Sequence, residues 1–155
     1  MRTGIGFDSH RLAEGKALVL GGVAIDHPKG LLGHSDGDCV IHAVVDALLG
    51  AMGAGDIGEH FPDTDPQWKD ADSARFLARI AEMLAERAIT VSNVDVVVVA
   101  AEPSLGPHKA VMAERMASVL GVESDRVNVK AKRPEGFEKT AADVIAVFAV
   151  ATLDE

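Results

Sequence analysis

Asp8 and His10 stand two residues apart near the start of the chain, and a second imidazole, His42, follows on a segment with helical spacing. On an extended strand, residues two apart point to the same side. Asp8 and His10 therefore face one way, and His42 has only to be brought opposite them. One carboxylate and two imidazoles form a common ligand set for a catalytic zinc whose fourth position stays open. An ion there would act as a Lewis acid on a phosphoryl oxygen. Asp38 and Asp46 lie four residues before and after His42, so either is expected to orient its ring. A D-x-H pair also arises by chance, and a lone histidine on a helix is commonly a satisfied surface residue, so spacing alone leaves both readings open.

Three further clusters carry polar chemistry. His34-Ser35-Asp36-Gly37-Asp38 precedes a helical pattern and reads either as a phosphate-contacting loop at a helix N-terminus or as an ordinary capped turn. Phe61-Pro62-Asp63-Thr64-Asp65 reads either as a substrate loop or as a plain turn. Lys130, Lys132 and Arg133 gather at the end of a strand, either to meet phosphate or to form a solvated edge that discourages strand pairing.

The elements that must position these residues follow from periodicity. At 155 residues the chain is expected to form one compact domain, residues 1–155. Thr3–Phe7 predicts a strand running into a loop at Asp8–His10. Ala17–Leu20 and Val23–Ile25, joined by Gly21-Gly22, predict a hairpin. Cys39–Met52 predicts a helix with Val40, Val44, Ala47, Leu48 and Ala51 inward, its start capped by Asp36 or Asp38. Residues 53–65 read as a long loop, and loops of that length usually have work to do. Ser73–Arg87 and Lys109–Leu120 predict amphipathic helices, the first burying Phe76, Leu77, Ile80 and Leu84. Val94–Ala101 reads as a strand buried on both faces and Val127–Ala131 as another. Ala141–Leu153 is ambiguous between helix and strand. The fold class is α+β, a mixed sheet covered by helices on one face. The valine-rich second face then calls for burial in an oligomer.

Composition excludes several partners. A net charge of −9 disfavours nucleic acid and anionic membranes. No run approaches the length of a membrane helix, and the single cysteine, Cys39, suits a reducing cytoplasm.

Many segments together resemble one family. They include Gly4-Ile-Gly-Phe-Asp-Ser-His10, Gly21-Gly22, Gly30-Leu-Leu-Gly-His-Ser-Asp-Gly-Asp38, His42, Asp46-Ala-Leu-Leu-Gly50 and Gly55-Asp-Ile-Gly58. Phe61-Pro-Asp-Thr-Asp-Pro66, Asn93-Val-Asp95 and Val127-Asn-Val-Lys-Ala131 complete the set. In this order they are similar to the 2-C-methyl-D-erythritol 2,4-cyclodiphosphate synthases.

The resemblance implies a homotrimer with active sites between neighbouring subunits and a strand over residues 141–153. It implies an enzyme that cyclises the cytidine diphosphate derivative of methylerythritol 2-phosphate and releases cytidine monophosphate, a phosphorus–oxygen lyase of non-mevalonate isoprenoid synthesis. It implies zinc, or a similar divalent cation, on Asp8, His10 and His42, and a second cation, magnesium or manganese, helped by Glu135. His34 and Arg133 become the catalytic groups. Ser35, Asp56, Ile57, Gly58, Phe61, Pro62, Asp63, Thr64, Asp65, Lys132 and Phe137 meet the substrate. Ala100, Ala101, Glu102, Pro103, Ser104, Leu105 and Gly106 form the cytidine pocket.

The chain departs from the family pattern after Ala131. It reads Lys132-Arg133-Pro134-Glu135-Gly136-Phe137-Glu138-Lys139-Thr140, where threonines and a glycine-flanked arginine are usual. Ser104 stands where many members carry a lysine. The expectation is that Lys132 and Arg133 take over phosphate contacts, since a cation stabilises developing charge at least as well as a hydroxyl. The alternatives are a weakened trimer that binds nucleotide or isoprenoid diphosphate, and a zinc phosphoesterase.

Overall fold

The computed structural model describes residues 1–135 and 143–154. In chain order the strands are β1 (Arg2–Glu14), β2 (Leu18–Leu20), β3 (Val23–Ile25), β4 (Lys29–Leu31), β5 (Thr90–Ala100), β6 (Val127–Lys132) and β7 (Val144–Asp154). The helices are α1 (Cys39–Met52), α2 (Ile57–His60), α3 (Ala74–Glu86) and α4 (Lys109–Leu120). Five strands form one sheet in the order β4-β1-β7-β5-β6, and β2 pairs with β3 as a separate hairpin. Only β5 and β6 run parallel among the described strand pairs. The expected α+β architecture is present.

Several expectations change in detail. β1 does not stop at Phe7. It pairs with β7 through Arg11, so Asp8 and His10 are strand residues and share one face by alternation. β5 is not buried on both faces: Val94, Val96 and Val98 are buried, while Val97 and Val99 are only half-buried. The long loop after Met52 contains α2, held because Asp56 accepts from the Glu59 N–H at 3.0 Å. The ambiguous C-terminal run is strand β7, as the resemblance implied; its residues 141 and 142 lie outside the described residues. Among the described residues, no helix is long and apolar enough to cross a membrane.

α1 lies against β1 and β7 and is buried nearly all round. Its polar side chains, His42 and Asp46, are one turn apart and therefore share a face. Asp38 caps the helix, and its buried carboxylate accepts from Val40 and Ile41 N–H, each at 3.1 Å. The same carboxylate accepts from Gly21 N–H at 2.9 Å and Gly22 N–H at 2.6 Å, which ties the β2–β3 turn to the helix start. Burial pushes this carboxyl up to about 6, against the downward pull of the Gly22, Ile41 and Gly21 N–H groups. A left-handed Gly53 closes the other end.

The helix sits unusually close to β1. A Cβ at Gly4 would stand 2.1 Å from the Ala47 carbonyl oxygen, and one at Gly6 would stand 2.0 Å from that of Ala43. Backbone blocks both positions, so no side-chain movement relieves the clash. Gly6→Ala is expected to lower stability by about 3 kcal/mol or more, as overpacking against backbone does. The urea midpoint of unfolding measures it, and a variant of unchanged stability would refute the close approach.

Candidate metal centre and active-site cleft

Asp8 and His10 extend from β1 toward α1, and His42 extends from α1 toward β1. Asp8 Oδ2 lies 3.0 Å from His10 Nδ1 and 3.0 Å from His42 Nδ1. One ligand atom from each of the three residues falls within 4.8 Å of the other two. His10 Nδ1 is buried and makes no hydrogen bond despite its nearness to Asp8. A buried ring nitrogen in that state costs free energy unless something takes its lone pair. Two imidazoles and one carboxylate converging around such an atom fit a divalent cation. Burial alone would push the Asp8 carboxyl up. His10 and His42 beside it outweigh burial and hold it at about 2. Asp8 therefore stays an anion at any pH near neutrality.

The expected orienters of His42 are not its neighbours. Asp38 is committed to capping α1. Asp46 accepts from the Ile57 N–H at 2.8 Å, which fastens α2 to α1. Instead His42 Nε2 lies 2.9 Å from Ser73 Oγ and 3.1 Å from Ser35 Oγ. Helix spacing pointed to the aspartates because it sees only one element, whereas Ser35 and Ser73 arrive from two separate loops.

The three ligand candidates line a cleft of about 230 Å³ with His34, Ser35, Ile57, Gly58, Phe61, Asp63, Trp68 and Phe76. Phe76 stacks on the His42 ring at 5.8 Å between centroids and on Phe61 at 4.6 Å. Trp68 meets both phenylalanines edge-on. One wall is thus apolar, which strengthens charge interactions inside the cleft. Asp56 and Asp65 cap α2 and the Pro66–Trp68 turn, while Pro62 and Thr64 flank Asp63 without lining the cleft. Trp68 and Phe76 escaped sequence reasoning. Phe76 had been assigned wholly to the core, and the chain's single tryptophan sits in a turn with no periodicity.

A second cleft has a volume of about 210 Å³. It is lined by Ala100, Ala101, Pro103, Ser104, Leu105 and Gly106, and on its other side by Ala131, Lys132 and Arg133. Lys109, at the start of α4, also lines it and was not anticipated. Among the described residues, no acidic side chain lines this cleft, in a chain of net charge −9. Lys130 does not join it, because it pairs with Asp95. Glu102 is exposed and stands 3.8 Å from His27. Glu135 is exposed and lines neither cleft, and Phe137 lies outside the described residues.

Known proteins share this arrangement along the whole chain. A 2-C-methyl-D-erythritol 2,4-cyclodiphosphate synthase from Synechococcus elongatus is 49% identical over 98% of this chain and 96% of its own length. The bifunctional enzyme IspD/IspF of Novosphingobium aromaticivorans is 54% identical over 98% of this chain, which spans 40% of that longer protein. A solved 2C-methyl-D-erythritol-2,4-cyclodiphosphate synthase, in a CDP-bound form, superposes with a TM-score of 0.90 at 40% identity, covering 99% of this chain and 100% of that one. The YgbB family model matches residues 1–154, and with the fold in agreement along that length, the chain belongs to the YgbB family.

Proposed function

We propose that this chain cyclises 4-diphosphocytidyl-2-C-methyl-D-erythritol 2-phosphate to the 2,4-cyclodiphosphate with release of CMP. The observation that carries this reading is the convergence of Asp8, His10 and His42 within one cleft. A zinc ion on these residues, with magnesium or manganese near Glu135, supplies Lewis-acid polarisation and charge neutralisation at the diphosphate when bound. The protein's own residues do the rest. His34 and Ser35 line the metal cleft beside the ligand set, in reach of an oxygen of the phosphate under attack. Ile57, Gly58, Phe61 and Asp63 hold the methylerythritol part, kept in place by the bond from Ile57 to Asp46. Phe61, Trp68 and Phe76 exclude water from that side, which favours attack by the tethered 2-phosphate over hydrolysis. The nucleophile is already an anion, so no strong base is needed, and holding both ends of one flexible substrate is the main task.

The cationic cleft takes the nucleotide. Backbone groups of residues 100–106 recognise cytosine and ribose, and Lys132 and Arg133 stabilise the charge that builds on the departing CMP. Ile5, Phe7, Phe148 and Val150 are exposed on the sheet face opposite α1, and the Phe7 and Phe148 rings touch at 4.9 Å. A homotrimer buries this apolar face, and each metal cleft then meets a neighbour's nucleotide cleft. The reaction belongs to the cytoplasm, where Cys39 stays a thiol.

Phosphorus NMR of the protein with this substrate, zinc and magnesium is expected to show the cyclic diphosphate and an equal amount of CMP. Inorganic phosphate would mean hydrolysis instead, and intact substrate a binding protein. His42→Ala is expected to lose bound zinc in metal analysis while remaining folded; a full zinc complement would sink the ligand assignment. Arg133→Thr is expected to lower kcat by about 100- to 1000-fold, the usual effect of removing one group that stabilises developing charge. Unchanged turnover would show that Arg133 is only tolerated.

A further inference from the structure

The polar hydrogens around His42 can be placed from their partners. The Asp36 carboxylate accepts the Asp38 N–H on Oδ1 at 3.1 Å and the Ser73 N–H on Oδ2 at 3.1 Å. It also accepts the Ser73 hydroxyl. A carboxylate has no proton to give, so Ser73 commits its one hydroxyl proton to Asp36. Toward every other neighbour Ser73 Oγ is then an acceptor. Those neighbours are His42 Nε2 at 2.9 Å and Ser35 Oγ at 3.2 Å. Ser73 is fully buried, so no water relieves a mismatch there. A bare Nε2 would set its lone pair against those of Ser73. Only a ring that carries its proton on Nε2 satisfies the pair.

A neutral imidazole protonated on Nε2 has its lone pair on Nδ1. That nitrogen faces Asp8 Oδ2 at 3.0 Å, and the unbonded His10 Nδ1 faces the same oxygen. With the ring proton on Nε2, the lone pairs of His42 Nδ1 and Asp8 Oδ2 face each other across a 3.0 Å contact, which is the arrangement a cation resolves.

We infer that Asp36, acting through Ser73, holds the His42 proton on Nε2 and so reserves Nδ1 for the metal. Asp36 and Ser73 are positioning residues, and the inference rests on the metal reading of Asp8, His10 and His42 above. Neither residue touches the substrate cleft as a ligand. Their effect reaches the ligand set through the ring of His42, and Ser73 also lies 3.2 Å from Ser35 Oγ. Without the Ser73 hydroxyl, Ser35 remains 3.1 Å from Nε2 with a proton free to donate. The ring proton then moves to Nδ1, where it competes with the metal.

The test titrates zinc alone into the chelator-stripped full chain, with a competing chelator to read the affinity. Ser73→Ala and Asp36→Ala are each expected to weaken zinc binding by about 10- to 100-fold, as loss of a ligand's outer hydrogen-bond partner does. Ser73→Thr, which keeps the hydroxyl, is expected to bind within a few-fold of wild type. Ring proton–nitrogen correlation spectra of the zinc-loaded wild type are expected to show Nδ1 of His42 bound to metal and a slowly exchanging proton on Nε2. That spectrum needs no variant, so the inference stays exposed even if Ser73→Ala folds poorly. Zinc bound through Nε2, or Ser73→Ala holding zinc as tightly as wild type, would overturn this inference alone. Wild type that takes up no zinc would overturn the metal reading and this inference with it.

Discussion

The spacing between α1 and β1 governs the site. Gly4 and Gly6 leave no room for a Cβ above the strand, because the carbonyls of Ala47 and Ala43 already fill that space. The next two residues on the same strand face are Asp8 and His10, and the residue before Ala43 is His42. Helix and strand separate too little for side chains at one end of the contact. At the other end they meet at the distance three metal ligands require. A larger residue at either glycine would lift the helix, and His42 with it. The site is thus an extension of a packing contact, and a core already close-packed holds its geometry.

Charge is arranged against the grain of the chain. A protein of net charge −9 must bring together a substrate that carries several negative charges of its own. It does so by local means. Near β1, one carboxylate is kept ionised by two imidazoles and becomes a cation site. Near β6, Lys109, Lys132 and Arg133 line a cleft to which no acid among the described residues contributes. Asp46, a third carboxylate near the ligands, is spent on a backbone N–H and does not add to the ligand set. Among the described residues, Asp8 and Asp63 are the acids that line the metal cleft, and none lines the second cleft.

The parts of this arrangement that repeat were legible in the sequence. Period-two alternation put Asp8 and His10 on one face, and period 3.6 placed α1 and α4 at their observed bounds. Gly21-Gly22 marked the hairpin. What periodicity missed has a common physical origin. Trp68 and Lys109 reach their clefts, and Ser73 the His42 ring, from turns or helix ends, where no repeat fixes direction. The expectation that Asp38 and Asp46 orient His42 failed because each had a nearer backbone donor to satisfy. A carboxylate one turn from a histidine competes for its ring only when no unpaired N–H is closer, and helix starts supply several such groups. The strand character of residues 144–154 was likewise invisible locally, since β7 is fixed by pairing with β1 and β5 on either side.

The same N–H groups explain why the polar loops, though irregular, are not loose. Asp38 holds the β2–β3 turn, Asp46 holds the start of α2, and Asp36 holds Ser73 at the start of α3. Three carboxylates on or just before α1 thus anchor three separate segments. Each anchored segment except the β2–β3 turn presents a residue to the metal cleft or to His42: Ile57 and Gly58 to the cleft, Ser73 to the ring. Helix α1 therefore supplies one ligand directly and sets the positions of the groups around it indirectly. An aspartate-rich stretch around a buried helix, which composition alone reads as solvated surface, is here the frame that holds the loops of the site.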